Sequence, residues 1–331
     1  MVEQTGLKVC IAGAGAIGCT VAARLAQAGV AVSVLARGQT LDAIRRHGIQ
    51  LTDLDGEHKV HVAASDNAHD LGHQDVVFVC TKAQSLPTLL PSLQPLLTPE
   101  TMVVPLINGV PWWYFHGEGG RFDGRIVQAV DPDAAISQQL SWSHILGCVV
   151  FITAQVKAPG VVSSSNPHLL IFGEPDNVLS PRLERLRAMV EKSGIEARAS
   201  DRLRDSLWTK IIANLTSNPL SVVSGATLEQ IYTHPGLRRI AVNILHEGLA
   251  VAAAYGARMQ FDPHTFLELA AGMGAVRTSM LQDFEKGVPL ELAAIGDAVL
   301  ELAELMDIDM PATRDVIELA RFRSMQTKET R

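Results

Sequence analysis

Two short runs of the sequence hold residues whose types and spacing suit chemistry. In SLWTKIIANLTSNPLS, residues 206–221, Lys210, Asn214 and Asn218 recur at i, i+4 and i+8. On a helix that spacing lines an ammonium and two carboxamides along one face, away from the apolar Leu207, Ile211, Ile212 and Leu215. Lysine brings donors and a positive charge, and a carboxamide both donates and accepts, so the stripe is equipped to hold a polar ligand. Asparagine is a poor helix-interior residue, and two of them behind a lysine call for a reason. Taken alone, the solvated face of an amphipathic helix has the same appearance. Pro219 follows at once and marks a kink or a new segment.

The second run is VCIAGAGAIGCTVAARLAQAGVAVSVLARG, residues 9–38. Gly13, Gly15 and Gly18 stand as GxGxxG after a strand-like run, open a small-residue helix and are succeeded by a second strand, the context a dinucleotide fingerprint requires. Gly13 would allow the tight turn, Gly15 would let the backbone approach a pyrophosphate, and Gly18 would let helix and strand pack closely. The loop Gly13, Ala14, Gly15, Ala16, Ile17 and Gly18 would then hold the phosphates at a helix N-terminus, where unpaired N–H groups favour an anion. An NAD site places an acid at the end of the second strand, whereas an NADP site omits it and supplies a cation for the 2′-phosphate. Here the strand ends in SVLARGQT, with Arg37 and no acid before Asp42, which favours NADPH.

Other chemistries lack their residues. The eleven histidines show no HxH or HExxH spacing, so no metal site is expected, and no GxSxG nucleophile elbow occurs. Cys10, Cys19, Cys80 and Cys148 lie in or beside apolar segments without CxxC spacing and read as buried thiols. A net charge of −7 with no basic block argues against nucleic acid or an anionic membrane as partner. The N-terminus lacks a basic leader and no apolar run approaches membrane-spanning length, which points to the cytoplasm.

The elements that must position these residues are legible as periodicities. Through KVCIAGA, VAARLAQAG, VAVSVLAR, LDAIRRHG, DVVFVCTK, SLPTLLPSLQPLL and TMVVPLING, β-branched runs alternate with helical ones, the mark of βαβ units and a parallel sheet covered by helices. HILGCVVFITAQVKAPGVVSSS and HLLIFGEP suggest an antiparallel extension of that sheet. From about Pro181 the period is helical almost throughout. The expected fold is α/β: a Rossmann-type, doubly wound N-terminal domain over residues 1–199 and an all-helical domain over 200–331 carrying the polar stripe. Only the last residues, QTKETR, read as a frayed tail.

With these pieces in place the sequence resembles the ketopantoate reductase family. The resemblance rests on the GxGxxG run with Arg37, TKAQ with Lys82, NGV with Asn108, LWTKIIANLTSNPL, and RTSMLQDFEKGVPLELAAIG. It implies NADPH-dependent reduction of 2-dehydropantoate to (R)-pantoate, a step toward pantothenate and coenzyme A, between a Rossmann domain and a helical domain. It further implies Lys210 as general acid, Asn214, Asn218 and Ser279 as substrate contacts, and Glu291 beside the lysine and the substrate hydroxyl. Lys82, Asn108 and Glu291 match positions near the cofactor, and Asn108 also matches a substrate position. The partner is then a small 2-keto acid, with a homodimer left open.

The sequence departs from the family in three places. Gln84 stands two residues after Lys82, with Ser85 in the place some members give to glutamine; Leu292 and Ala293 follow Glu291 where Ile-Asp is common; and residues 111–147 are long and aromatic. Trp112, Trp113, Tyr114 and Phe115 suit interdomain packing or the lining of a roomier pocket. Three other readings therefore stay open: a reductase of a bulkier 2-keto acid, a β-hydroxyacid dehydrogenase, and a non-catalytic NADPH sensor.

Overall fold

The computed structural model describes residues 6–259 and 261–329. In chain order its first elements are β1 (Lys8–Ala12), α1 (Ala16–Gln27), β2 (Ala31–Leu35), α2 (Gly38–His47), β3 (Ile49–Asp53), β4 (Gly56–Val60), β5 (Ala63–Ser65), β6 (Val76–Val79), α3 (Leu86–Leu93) and β7 (Met102–Pro105). Five of these strands form a parallel sheet in the order β5-β2-β1-β6-β7, with Ile11 paired to Val34 on one side and Phe78 on the other. Every residue of β6 and β7 is buried, as expected of parallel strands covered on both faces. Strand order reverses at β1, so the carboxyl ends of β1 and β6 flank the crevice where such sheets bind ligands.

Further along come β8 (Gly147–Phe151), β9 (Ala154–Ala158), β10 (Val161–Ser164), β11 (Leu169–Gly173), α4 (Pro181–Glu191) and β12 (Glu196–Ala199). Here the structure departs from the expected antiparallel extension. These strands leave the parallel sheet and build two others, β4-β3-β10-β9 and β12-β11-β8, and a single bridge from Val103 to Ile145 leads from β7 toward β8. The β3–β4 hairpin has no counterpart among the strands expected from the sequence. It forms because its sheet covers α1, which packs on β3, β4, β9 and β10. Arg24 of α1 is held there by Asp53 and Asp55 at 2.7 and 2.5 Å. One hydrophobic core, from Val9 to Ala197, unites these layers.

The helical half contains α5 (Leu203–Ser224), α6 (Leu228–Thr233), α7 (Pro235–Ala254), α8 (Pro263–Gly272), α9 (Ser279–Lys286), a π-helical turn over Ala293–Asp297, α10 (Ala298–Leu305) and α11 (Pro311–Glu329). Instead of fraying at Gln326, α11 continues to Glu329; the last two residues of the expected tail lie outside the described residues. No described helix is long and apolar enough to cross a membrane. By compactness the chain divides into one unit of residues 1–107, 115–125 and 134–203 and a second of 108–114, 126–133 and 204–331. A single cut between 199 and 200 does not describe this division, because two short stretches of the first half fold with the helices.

Candidate active site

In the sheet-bearing unit, Gly13 follows β1 with φ +110° and donates its N–H to the Leu35 carbonyl at 3.0 Å. A Cβ on Gly13 would stand 2.8 Å from Thr81 Cγ2, and one on Gly18 would stand 2.0 Å from the Gly13 carbonyl oxygen. Both glycines are therefore required by close approach. Gly15 differs: its Cβ would meet open space, and it begins α1 without a side-chain cap. Room above Gly15 beside the uncapped first turn of a helix is what a pyrophosphate needs. Ala14, Ala16 and Ile17 complete this loop.

Arg37 is exposed at the N-cap of α2, and its side chain makes no hydrogen bond or ion pair among the described residues. Its guanidinium is uncommitted. On these grounds the residues fit a dinucleotide. Lys82 is half-buried after β6, where a 3-10 turn begins. Thr81, just before it, was not singled out by sequence; its Oγ1 is buried without a partner beside Gly13. Its only signal in the sequence is adjacency to Lys82.

In the helical unit, α5 runs unbroken through Pro219 and presents Lys210, Asn214 and Asn218. None of the three is exposed, and Asn218 is 3% accessible, so this is not a solvated face. The amide nitrogens of Asn214 and Asn218 are buried without hydrogen-bond partners. A buried donor left unpaired costs about 1–3 kcal/mol, so two aligned on one helix suit a ligand rich in acceptors. Burial lowers the Lys210 pKa from 10.5 to about 8, although part of the side chain stays accessible. The cause is desolvation, which disfavours the ammonium.

Three other segments are drawn to the end of α5. A small core of Val222, Met280, Leu292, Ile295 and Ala320 joins the residue after Ser279 and the residue after Glu291 to α5 and α11. Ser279 is exposed as the first residue of α9, and Glu291 is buried at 6% accessibility, just ahead of the π-helical turn. Asn108 is half-buried after β7. Gly109, with φ +84°, lies so close to the π turn that a Cβ would stand 2.3 Å from the Ala294 carbonyl oxygen, which accepts the Val110 N–H at 2.8 Å. Asn108 and Glu291 are thus tied to one turn of chain, and Asn218 and Ser279 to one small core.

The aromatic run packs, for the most part, inside the helical unit. Trp112, Trp113 and Tyr114 are buried, Tyr114 Oη receives the Trp208 indole N–H at 2.8 Å, and its ring meets Tyr255 edge-on at 5.9 Å. Arg204 donates to the Tyr114 carbonyl from Nε and Nη2 at 2.9 and 2.7 Å. Phe115 belongs to the other unit and packs on Phe122. The indole nitrogens of Trp112 and Trp113 have no partner. Among the described residues of this unit, the buried side-chain polar atoms left unpaired are all N–H donors.

A family profile described as ketopantoate reductase PanE/ApbA matches residues 9–177, and its C-terminal counterpart matches residues 202–324. The chain belongs to the ketopantoate reductase family. It is 39% identical over 316 residues to the 2-dehydropantoate 2-reductase of Mesorhizobium japonicum, covering 95% of this chain and 97% of that one. The solved structure of a Ralstonia solanacearum MolK2 chain is similar with a TM-score of 0.91 and 36% identity, covering 97% and 99%. That of the 2-dehydropantoate 2-reductase of Geobacter metallireducens GS-15 is similar with a TM-score of 0.84 and 26% identity, covering 95% and 99%. The two family segments divide the candidate residues between them. The glycine loop, Arg37, Lys82 and Asn108 fall in the first, and Lys210, Asn214, Asn218, Ser279 and Glu291 in the second.

Proposed function

We propose that this protein is a cytoplasmic, NADPH-dependent 2-dehydropantoate 2-reductase in which Lys210 is the proton donor. One observation carries the reading: a lysine whose pKa burial lowers to about 8 stands one and two turns from two buried, unpartnered carboxamide N–H groups on the same helix. A 2-keto acid offers acceptors to such donors, and its carbonyl oxygen becomes an alkoxide during reduction. The dinucleotide, when bound, supplies the hydride to C2 of the substrate. Lys210 stabilises the charge growing on the carbonyl oxygen and then transfers a proton from Nζ to it, giving the hydroxyl of the product. Asn214, Asn218 and Ser279 orient the carboxylate and the substrate hydroxyl, and Glu291 orients the ammonium. Gly13, Gly15 and Gly18 admit the pyrophosphate, Arg37 pairs with the 2′-phosphate, and Lys82 and Asn108 complete the cofactor contacts.

The test is NADPH oxidation over a panel of branched 2-keto acids that includes 2-dehydropantoate. The expected result is that 2-dehydropantoate exceeds an analogue of the same branching without the hydroxyl by about tenfold to a hundredfold in kcat/KM, the worth of one buried polar group left unpaired. A better rate with the deoxy analogue, or turnover confined to a bulkier keto acid, would reject pantoate formation.

A further inference from the structure

Behind the polar stripe lies a chain of hydroxyl groups whose proton direction can be counted. Thr278 caps α9, its Oγ1 accepting the Leu281 N–H at 3.1 Å. Ser221 Oγ lies 2.6 Å from Thr278 Oγ1 and 2.7 Å from the Asn218 carbonyl oxygen. Both residues are buried, Ser221 at 0% and Thr278 at 5% accessibility. Each hydroxyl has one proton. A carbonyl oxygen only accepts, so Ser221 spends its proton on Asn218, and the proton between the two hydroxyls is therefore Thr278's. The chain runs one way: Leu281 N–H to Thr278 Oγ1, Thr278 O–H to Ser221 Oγ, Ser221 O–H to the Asn218 carbonyl.

From this geometry we infer that Thr278 and Ser221 are positioning residues, a hydroxyl relay that sets Asn218 and Ser279 in register as one substrate clamp. The inference rests on the proposed roles of those two residues. Neither relay hydroxyl is a substrate contact. One end holds the backbone of Asn218, whose own amide nitrogen is unpartnered, and the other fixes the turn on which Ser279 is the first helical residue. Hydrogen bonds aligned head to tail strengthen one another, and the loss of one weakens the rest. The nearby core of Val222, Met280 and Leu292 holds the segments together without specifying their register, because apolar contact is non-directional.

Two measurements test this. The first uses no substrate: amide hydrogen exchange in Ser221→Ala. The Ser221 hydroxyl bonds to Asn218 and Thr278 and not to Leu281, so faster exchange of the Leu281 amide is expected if the relay links them; an unchanged rate would overturn the linkage. The second is kinetic, with the 2-keto acid that the wild-type enzyme reduces best. Ser221→Ala and Thr278→Val are each expected to raise KM about three- to tenfold, the worth of one hydrogen bond, with kcat and NADPH affinity nearly intact. Thr278→Ser restores KM. The double variant is expected to be no worse than the poorer single one, as befits two links of one chain. Additive losses, or a lower Tm with KM unchanged, would reduce the pair to ordinary capping. A wild type inactive toward 2-dehydropantoate would reject the proposed substrate and leave the exchange result to judge the relay.

Discussion

Lys210 is the residue on which pH should act most visibly. Its pKa is lowered from 10.5 to about 8, so between those values the unfolded chain binds more protons than the folded one and stability rises with pH. Below pH 8 the cost of the buried charge is present in full. Lys210→Met should abolish that rise, as followed by urea unfolding of the unliganded protein from pH 7.5 to about 10. As a proton donor the same group fails when it deprotonates, so kcat/KM should fall as pH rises through about 8. Lys210→Ala should cut kcat by about a hundredfold or more while nicotinamide fluorescence shows the cofactor still bound. Arg37 acts on a different quantity. Exposed and uncommitted, it costs the fold nothing to remove, so Arg37→Ala should weaken NADPH about tenfold or more, one charge-assisted contact, and leave NADH unchanged. An equal loss for both cofactors would detach Arg37 from the 2′-phosphate.

At the scale of elements, the glycine loop separates fold from function. Gly18→Ala drives a Cβ into the Gly13 carbonyl oxygen and should lower Tm and cofactor affinity together. Gly15→Ala meets open space at an ordinary φ of −78°, so Tm should hold while dinucleotide affinity falls about tenfold or more, because the methyl fills room that a phosphate needs. A Gly15→Ala variant that binds normally would remove the pyrophosphate from this loop. These glycines, the βαβ alternation and the polar stripe on α5 were legible because each leaves a local signature of spacing. The β3–β4 hairpin was not, since a five-residue strand such as IQLTD earns its place by covering α1 and by the ion pair from Asp53 to Arg24, contacts that carry no periodicity. Ser221 and Thr278 were missed for the same reason: a serine in a helix and a threonine before one are ordinary until 57 residues of chain bring their hydroxyls together.

For the whole molecule, stability toward acid should depend on the buried ions of the sheet-bearing unit. Burial pushes the Asp53 carboxyl up, but the His58 hydrogen bond, the Asp55 amide and the Arg24 cation together hold it below its usual 3.8. Its stabilisation is therefore present above that value and lost as pH falls through the lower, folded one. Arg24→Met should shift acid unfolding to higher pH, and an unchanged midpoint would show that His58 suffices. The path of the chain has a separate consequence. It passes between the two units at 107/108, 114/115, 125/126, 133/134 and 203/204. The helical unit draws from the earlier stretches the Tyr114 hydroxyl that satisfies Trp208, and it caps the Gln128 and Ala129 amides with Glu301. Residues 200–331 expressed alone should accordingly show no cooperative melting transition, and a sharp one would prove them autonomous. Recombination between relatives is bound by the same layout: a crossover near residue 200 separates Tyr114 from the Trp208 it packs against, so a viable chimera has to inherit residues 108–114 and 126–133 from the same parent as the helices.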